Sequence, residues 1–306
     1  MLRNSELKGI DIPRCRESLK ATLFADDTTV FLAEEDDFAD LQRILDTWKT
    51  QIIPIGAPTY RKELLRAHAA GEIPKNYPSD VHMAQDGEAT RVLGAWIGNG
   101  VDDEGVWTPV LAKVAKTLER WTISHPTLEG KRHVVQMFLG GMTQFLTDVQ
   151  CMPDLVRKCL NKITSAFLWN DRQTPPINRE TTYLPFEFGG MQILDLKSRN
   201  EAIAIMWLKE YLTFNAKKPW WTYLADDIFA SQVSLDQCPR EHHLRLNPFL
   251  QAWKPKLLAL PPALRELVTV AENYNLRMEG LAFSRHILWS LPMWAHGEPP
   301  MTRDDP

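Results

Sequence analysis

Two adjacent carboxylates, Asp26 and Asp27, lie between two short apolar runs, residues 20–24 and 28–32. The β-branched and aromatic side chains of both runs predict strands, and the short connection predicts a tight hairpin with the carboxylates at its tip. Carboxylate oxygens are preferred ligands of Mg²⁺, and two such ions can clamp both oxygens of an in-line phosphoryl displacement. Aspartate is also a common turn residue for conformational reasons, so the hairpin alone leaves metal binding and a structural turn open.

The residues around this pair resemble a known family. Phe24-Ala25-Asp26-Asp27 resembles the catalytic hairpin in reverse transcriptases of non-LTR (LINE-like) retrotransposons. Further segments resemble that family's motifs in the same order: the palm helix at 37–48, the KT-x-x-x-P segment at 49–56, the LG-containing primer-grip hairpin at 92–98, FLW at 167–169 and LP-x-x-x-GG at 184–191. The resemblance covers about two thirds of the chain, from residue 5 to residue 212.

The resemblance implies RNA-directed DNA polymerisation, in which deoxynucleotides are added to a DNA 3′ end on an RNA template. It implies Mg²⁺ as cofactor, with Asp26 as the first metal ligand and Asp27 as its neighbour. It also matches Lys49 to the lysine that helps pyrophosphate to leave, although a solvated lysine without a catalytic role is an equal interpretation of Lys49. An RNA template and a DNA primer are therefore the expected partners.

Two departures from the family pattern predict a truncated enzyme. A working palm of this family brings a further metal-binding aspartate from an earlier strand, and the residues before Asp26 hold no match to it. The family also places a loop of about a dozen residues before the Lys-Thr pair, whereas Trp48 runs directly into Lys49 here. We expect a decaying element or a mistaken gene model, with little or no polymerase activity for the chain alone, unless a longer element-encoded chain supplies the missing carboxylate.

The order of strand and helix signals, together with the resemblance, predicts an α+β chain. Strands are predicted near 7–12, 20–24, 28–32, 51–55 and 91–97, and helices at 37–48 and 60–71. The predicted segments are an incomplete palm of β-hairpins with helices at 1–100, a helical thumb-like bundle at 101–170, a helical post-thumb region at 171–295 and a disordered tail at 296–306.

Three apolar stripes at helical spacing predict the helices of the bundle, and Pro109, Pro126 and Pro153 lie near their starts. The widest stripe comprises Val134, Val135, Phe138, Leu139, Met142, Phe145, Leu146 and Val149. These positions follow the helical period, so we interpret them as core rather than as a ligand pocket.

A formal net charge of −4 does not by itself indicate a nucleic-acid-binding protein. Two basic groups could still face a duplex backbone: Lys113, Lys116 and Arg120 on one side of a helical pattern, and Lys131, Arg132 and His133 at the start of the next. A solvated face with Glu119 and Glu129 as ionic partners is the equal alternative. The resemblance adds Leu93, Gly94 and Trp96 of the primer-grip segment as nucleic-acid contacts.

Four cysteines without Cys-x-x-Cys spacing, and no secretory signal at the start, predict a reduced intracellular compartment, the cytoplasm or the nucleus. No apolar run reaches the 18 or so residues that cross a bilayer, so no membrane partner is expected. The alternative to a truncated polymerase is a non-catalytic helical module, derived from a retrotransposon, that binds nucleic acid or protein.

Overall fold

The structure is a computed structural model of the 306-residue chain. It describes residues 7–12, 18–24, 27–33, 36–37, 39–41, 51–72, 81–172, 174–213, 218–234, 248–249 and 253–275. The chain divides into two compact units, one of residues 37–203 and one that combines residues 1–36 with 204–306. We describe each unit by itself.

The described strands form three separate two-stranded sheets. The strands are β1 (Ala21–Phe24), β2 (Asp27–Val30), β3 (Gln51–Ile52), β4 (His82–Met83), β5 (Thr90–Val92) and β6 (Ala95–Ile97). β1 pairs antiparallel with β2, β3 pairs parallel with β4, and β5 pairs antiparallel with β6. The described part of the chain is therefore mainly helical with a few small sheets, which is compatible with the predicted α+β class.

The predicted strands are found with shorter bounds. The strand predicted near 7–12 is reduced to one antiparallel bridge between Ile10 and Leu19. Gly9 departs from extended backbone with a φ of 69°, and it lies so close to the backbone of Leu19 that a Cβ would approach the Leu19 oxygen to 2.6 Å. Residues 91–97, predicted as strand within a hairpin motif, form the two strands β5 and β6 with a turn between them.

Nine α-helices lie in the described ranges: α1 (Pro58–Ala70), α2 (Thr108–Ile123), α3 (Leu128–Val134), α4 (Gly141–Gln150), α5 (Asp154–Trp169), α6 (Arg179–Tyr183), α7 (Leu196–Tyr211), α8 (Trp220–Ser231) and α9 (Pro262–Asn273). Pro109 lies in the first turn of α2, and Pro153 immediately precedes α5, as expected for a residue without an N–H donor. Thr127 caps α3, its hydroxyl accepting from the Gly130 N–H at 3.2 Å. Of the helix predicted at 37–48, residues 39–41 are helical and most of the rest lies outside the described residues.

Helices α2 to α5 form the predicted bundle around one apolar core. Its most buried members come from every helix of the bundle, from residues just before α2 and between α3 and α4, and from the residues after α6: Trp107, Val114, Leu118, Val134, Val135, Leu139, Leu146, Val156, Leu160, Phe167, Leu168, Ile193 and Leu196. Because each helix has only one apolar stripe, burial of all the stripes requires the helices to pack together.

The sequence did not predict the π-helical turn Val135–Gly140, which joins α3 to α4 without a break. A π turn accommodates one extra residue and rotates the residues after it by about 100° relative to an α-helix. Phe145 and Val149, which the predicted stripe placed in the core, are consequently 52% and 40% exposed. Thr143 and Thr147 are buried in their place.

The other unit has its own core of aromatic and aliphatic side chains, among them Leu208, Tyr211, Phe229, Trp253 and Leu267. A buried polar group crosses it, because the Tyr211 hydroxyl donates to Asp226 Oδ1 at 2.5 Å while Lys218 Nζ contacts Asp226 Oδ2 at 2.9 Å. Trp221 packs against the same core. The predicted tail at 296–306 lies outside the described residues.

Candidate nucleic-acid interface

The carboxylate hairpin has the predicted pairing. β1 ends at Phe24 and β2 begins at Asp27, and the two residues are partners in the antiparallel register, so two residues form the connection. Asp27 is therefore the first residue of β2. Asp26 and Lys49 lie outside the described residues. In the described ranges, no group of three or more His, Cys, Asp or Glu is arranged to hold a metal ion.

Asp36 fixes the chain on both sides of this hairpin. Its carboxylate accepts from the N–H groups of Lys8 at 2.6 Å, Gly9 at 2.9 Å and Ala33 at 2.8 Å. Burial raises the pKa of Asp36, but the three N–H donors outweigh burial and bring the pKa below its ordinary value. The segments before β1 and after β2 are thus held to one buried carboxylate.

The primer-grip-like hairpin β5–β6 turns at Leu93 and Gly94, whose φ angles are 51° and 89°. Two positive φ angles define the type I′ turn that fits the twist of a two-residue hairpin. Gly94 lies directly against Phe145 of α4, because a Cβ at Gly94 would approach the ring to 2.9 Å. The Phe145 ring, turned outward by the π turn, is therefore the surface against which the hairpin tip packs.

A second contact attaches this hairpin to the end of α4. Gln150, the last residue of α4, accepts from the Trp96 N–H through Oε1 at 2.8 Å and donates from Nε2 to the Trp96 carbonyl at 2.7 Å. The Trp96 ring packs against the bundle core, and the Arg91 guanidinium lies 5.9 Å from its centre. Of the three predicted contacts in this hairpin, Trp96 has a structural role, and Leu93 is exposed at the tip.

Lys113 and Lys116 form an exposed basic row on α2 together with Arg120. Residues at these spacings lie within about 60° of one another around a helix. Within the described part of the chain none of the three forms an ion pair. This row is therefore available to an anionic partner.

The charge of the whole bundle agrees with this arrangement. Residues 108–172 contain nine Lys and Arg against five Asp and Glu, a balance of +4 in a chain whose net charge is −4. Positive charge that is concentrated on one helical bundle attracts phosphates more effectively than the net charge of the chain suggests.

Lys131, predicted to contact a nucleic-acid backbone, is in the interior of the bundle and only 5% exposed. Its ammonium group donates to the carbonyls of Phe167 at 2.7 Å and Leu168 at 3.2 Å, and to Asn170 Oδ1 at 2.5 Å. These groups form the C-terminal end of α5, where a cation offsets the helix dipole and pairs with carbonyls that the helix leaves unpaired. Burial lowers the pKa of Lys131, and the charge of Asp171 partly opposes that effect. We therefore assign Lys131 to the fold and leave it out of the interface.

Arg132 makes one contact that the sequence anticipated and one that it did not. Its guanidinium lies 3.8 Å from Glu129, as the solvated-face alternative expected. It also lies 5.2 Å from the centre of the Phe186 ring, a cation–π arrangement with a residue far along the chain.

Sequence reasoning missed Arg199 of α7, which braces the end of the π turn. Its Nη1 donates to Thr143 Oγ1 at 2.7 Å and to the Gly140 carbonyl at 3.4 Å, and its Nη2 donates to Thr147 Oγ1 at 3.1 Å. Nε and Nη2 both donate to Asn200 Oδ1. Burial lowers the pKa of Arg199. Two threonines four residues apart within an apolar helix were the available signal for a buried polar partner.

A comparison with models of known protein families finds no match to this chain, and a comparison with curated proteins finds none either. The resemblance to LINE-like reverse transcriptases therefore depends on the sequence motifs alone. Among the described residues, no helix combines the length and the apolar character that crossing a membrane requires.

Proposed function

We propose that the chain derives from the reverse transcriptase of a LINE-like retrotransposon and that its unit of residues 37–203 binds a primer–template duplex. The basic row Lys113, Lys116 and Arg120, exposed on a bundle with a balance of +4, is the observation that carries this proposal. The row supplies cations for phosphates, and the hairpin β5–β6 is attached rigidly to the same bundle through Gln150.

The affinity of the purified chain for an RNA–DNA hybrid across salt concentration tests this proposal. Contacts to phosphates release counterions, so the affinity should fall steeply between about 50 and 200 mM salt. The triple variant Lys113→Gln, Lys116→Gln and Arg120→Gln should bind more weakly, and its logarithmic salt slope should be shallower by about one for each phosphate contact that the substitutions remove.

The matched control removes three exposed lysines from other helices of the same unit: Lys158→Gln, Lys162→Gln and Lys197→Gln. This control changes the net charge by the same amount. If the interface is confined to the basic row, the control variant should bind the hybrid with near-normal affinity. Equal losses in both triple variants would indicate attraction to overall charge alone. Absence of binding at low salt would exclude the proposal.

We further propose that Mg²⁺ binds at Asp26 and Asp27 by resemblance, and that the chain alone extends a primer little or not at all. Two-metal chemistry needs several converging carboxylates, and one hairpin supplies two. Primer extension with Mg²⁺, with Asp26→Asn as control, tests this expectation. Robust extension by the chain alone that disappears in the Asp26→Asn variant would overturn it. Extension that requires a co-purified longer chain would instead identify the source of the missing ligand.

A further inference from the structure

Two phenylalanines on the segment Leu184–Met191 are directed into solvent. Phe186 is 56% exposed and Phe188 is 70% exposed, and both belong to one 3-10 turn. Adjacent exposed phenyl rings are unusual on a soluble surface and commonly mark a contact with a partner. By exposed fraction, Phe186 and Phe188 are the two most exposed aromatic side chains among the residues described.

The segment is held rigidly by backbone hydrogen bonds. The N–H groups of Phe188 and Gly190 both donate to the Pro185 carbonyl at 3.0 Å, and the Gly189 N–H donates to Phe186 at 3.0 Å. Gly190 packs so closely on Leu184 that a Cβ would lie 2.0 Å from the Leu184 oxygen. The rings are therefore presented by a preformed turn, and a ligand would lose little of its binding free energy in ordering the turn.

Backbone hydrogen bonds and core packing attach both ends of the segment to the rest of the unit of residues 37–203. The N–H groups of Met191 and Ile193 donate to the carbonyl of the buried Thr182 at 3.2 and 3.0 Å, and Ile193 is itself part of the bundle core. Arg132 of α3 lies beside the nearer ring, 5.2 Å from the centre of Phe186. A cation is thus placed beside one of the two exposed rings of this segment.

We infer that Phe186 and Phe188, with Arg132, form a stacking platform for unpaired bases of a single-stranded nucleic acid. Aromatic rings next to basic side chains bind single strands without strict sequence preference, because every base has a π face and every linkage carries a phosphate. Charge favours this occupant over an apolar protein surface, since Arg132 attracts phosphates and residues 108–203, which include the segment with Glu187 between its rings, keep a balance of +3. This inference builds on the proposed function, in which the same unit binds the duplex that adjoins the unpaired strand.

The test compares three probes with the full chain: a blunt RNA–DNA duplex, the same duplex with an unpaired overhang of about ten nucleotides, and the unpaired strand alone. A 2-aminopurine in the unpaired strand reports stacking by quenching of its fluorescence. The double variant Phe186→Leu and Phe188→Leu keeps the apolar surface and removes the rings. We expect it to lose the gain in affinity from the overhang, about tenfold or more, and to lose the quenching, while blunt-duplex binding stays unchanged.

The double variant Phe186→Trp and Phe188→Trp restores aromatic surfaces and should recover the overhang effect. Equal overhang affinity in the wild type and the leucine variant would overturn the inference. The inference would also be overturned if the wild type self-associates with rising concentration, the leucine variant retains this self-association, and a Phe186→Ala, Phe188→Ala variant loses it. The duplex proposal is tested independently, by the blunt-duplex affinity of the triple variant of the basic row. Binding of the unpaired strand alone reports on the two rings without any duplex contact.

Discussion

The Gln150 side chain holds the backbone of Trp96 as a neighbouring strand would, accepting from its N–H at 2.8 Å and donating to its carbonyl at 2.7 Å. Trp96 pairs with Arg91 in a hairpin whose turn comes directly after Val92. In that register the N–H and carbonyl of Trp96 point away from β5, so the hairpin cannot pair them itself. One amide at the end of a helix therefore completes the outer edge of the hairpin and joins it to the bundle.

Gln150→Ala should remove the hydrogen bonds that attach the β5–β6 hairpin to the end of α4. The substitution leaves two half-buried backbone groups without their partner, so we expect a loss of about 1–3 kcal/mol in the free energy of unfolding. Hydrogen exchange at the Trp96 amide should become faster. Gln144→Ala is the matched control, because Gln144 is an exposed glutamine on the same helix. Unchanged Trp96 exchange in the Gln150 variant would contradict this role.

Gly94→Ala should destabilise the chain more than Gly87→Ala. Gly87 and Gly94 have nearly the same φ, 92° and 89°, so both substitutions carry the strain of a left-handed alanine, about 1 kcal/mol. Only Gly94 has a close neighbour, the Phe145 ring, and displacing that ring should add roughly 1 kcal/mol. Denaturant unfolding of both variants in a Phe145→Ala background provides the check. In that background the two glycine substitutions should cost the same free energy of unfolding. A larger cost for Gly94→Ala there would exclude the Phe145 ring as the cause.

Lys131→Met should lower stability although it removes a buried charge. The methionine fills similar volume but leaves the carbonyls of Phe167 and Leu168 unpaired, for which we expect a cost of about 2 kcal/mol or more. Urea unfolding measures this loss, with exposed Lys113→Met as the control. Duplex affinity should fall in the Lys113→Met variant and stay near normal in the Lys131→Met variant, since only Lys113 belongs to the basic row. A Lys131→Met protein of wild-type stability would refute the capping role.

The contribution of Asp36 should disappear in acid. Its pKa is lower in the folded chain than its ordinary value of 3.8, so the folded state favours the carboxylate. The stability from this group is therefore complete above the unfolded value and is lost as the pH falls through the folded pKa. Above about pH 5, Asp36→Asn should cost roughly 1.5–3 kcal/mol, and the gap between variant and wild type should narrow below about pH 4.

Unfolding curves of wild type and Asp36→Asn from neutral pH to about pH 2.5 would measure this gap. Asp11→Asn serves as the control, because Asp11 is exposed in the same segment that Asp36 holds. A constant difference across the acid range would mean that the Asp36 charge is not what the three N–H groups recognise.

The helical bundle and the β1–β2 hairpin could be predicted from local signals, whereas the β5–β6 hairpin was expected from the family resemblance, the local pattern indicating one strand at 91–97. Stripes at helical spacing fix the helices, prolines mark the starts of α2 and α5, and a short connection fixes the β1–β2 hairpin. The attachments between these elements could not be predicted. Gln150 and Trp96 are 54 residues apart, and Lys131 contacts α5 from 36 residues away. No local pattern distinguishes such partners from solvated side chains.

The basic residues illustrate the same limit. Lys113 and Lys131 are similar in sequence, since each belongs to a basic group on a predicted helix, and a charge pattern treats them alike. The structure separates them because the end of α5 meets α3 at Lys131, whereas Lys113 is exposed. The core stripe was wrong at Phe145 and Val149 for a related reason, since the π turn alters the phase without a residue type that announces it.

The π turn also makes the hairpin attachment depend on chain length as well as on residue identity. Deleting any one residue between Val135 and Gly140 would restore the α-helical period and rotate the rest of the helix by about 100°. Phe145 would then turn toward the core and Gln150 away from Trp96, although every contacting residue would still be present. Tolerance of substitution at the exposed positions Gln136 and Met137, together with intolerance of a single-residue deletion anywhere in residues 135–140, is the expected mutational signature of the π turn.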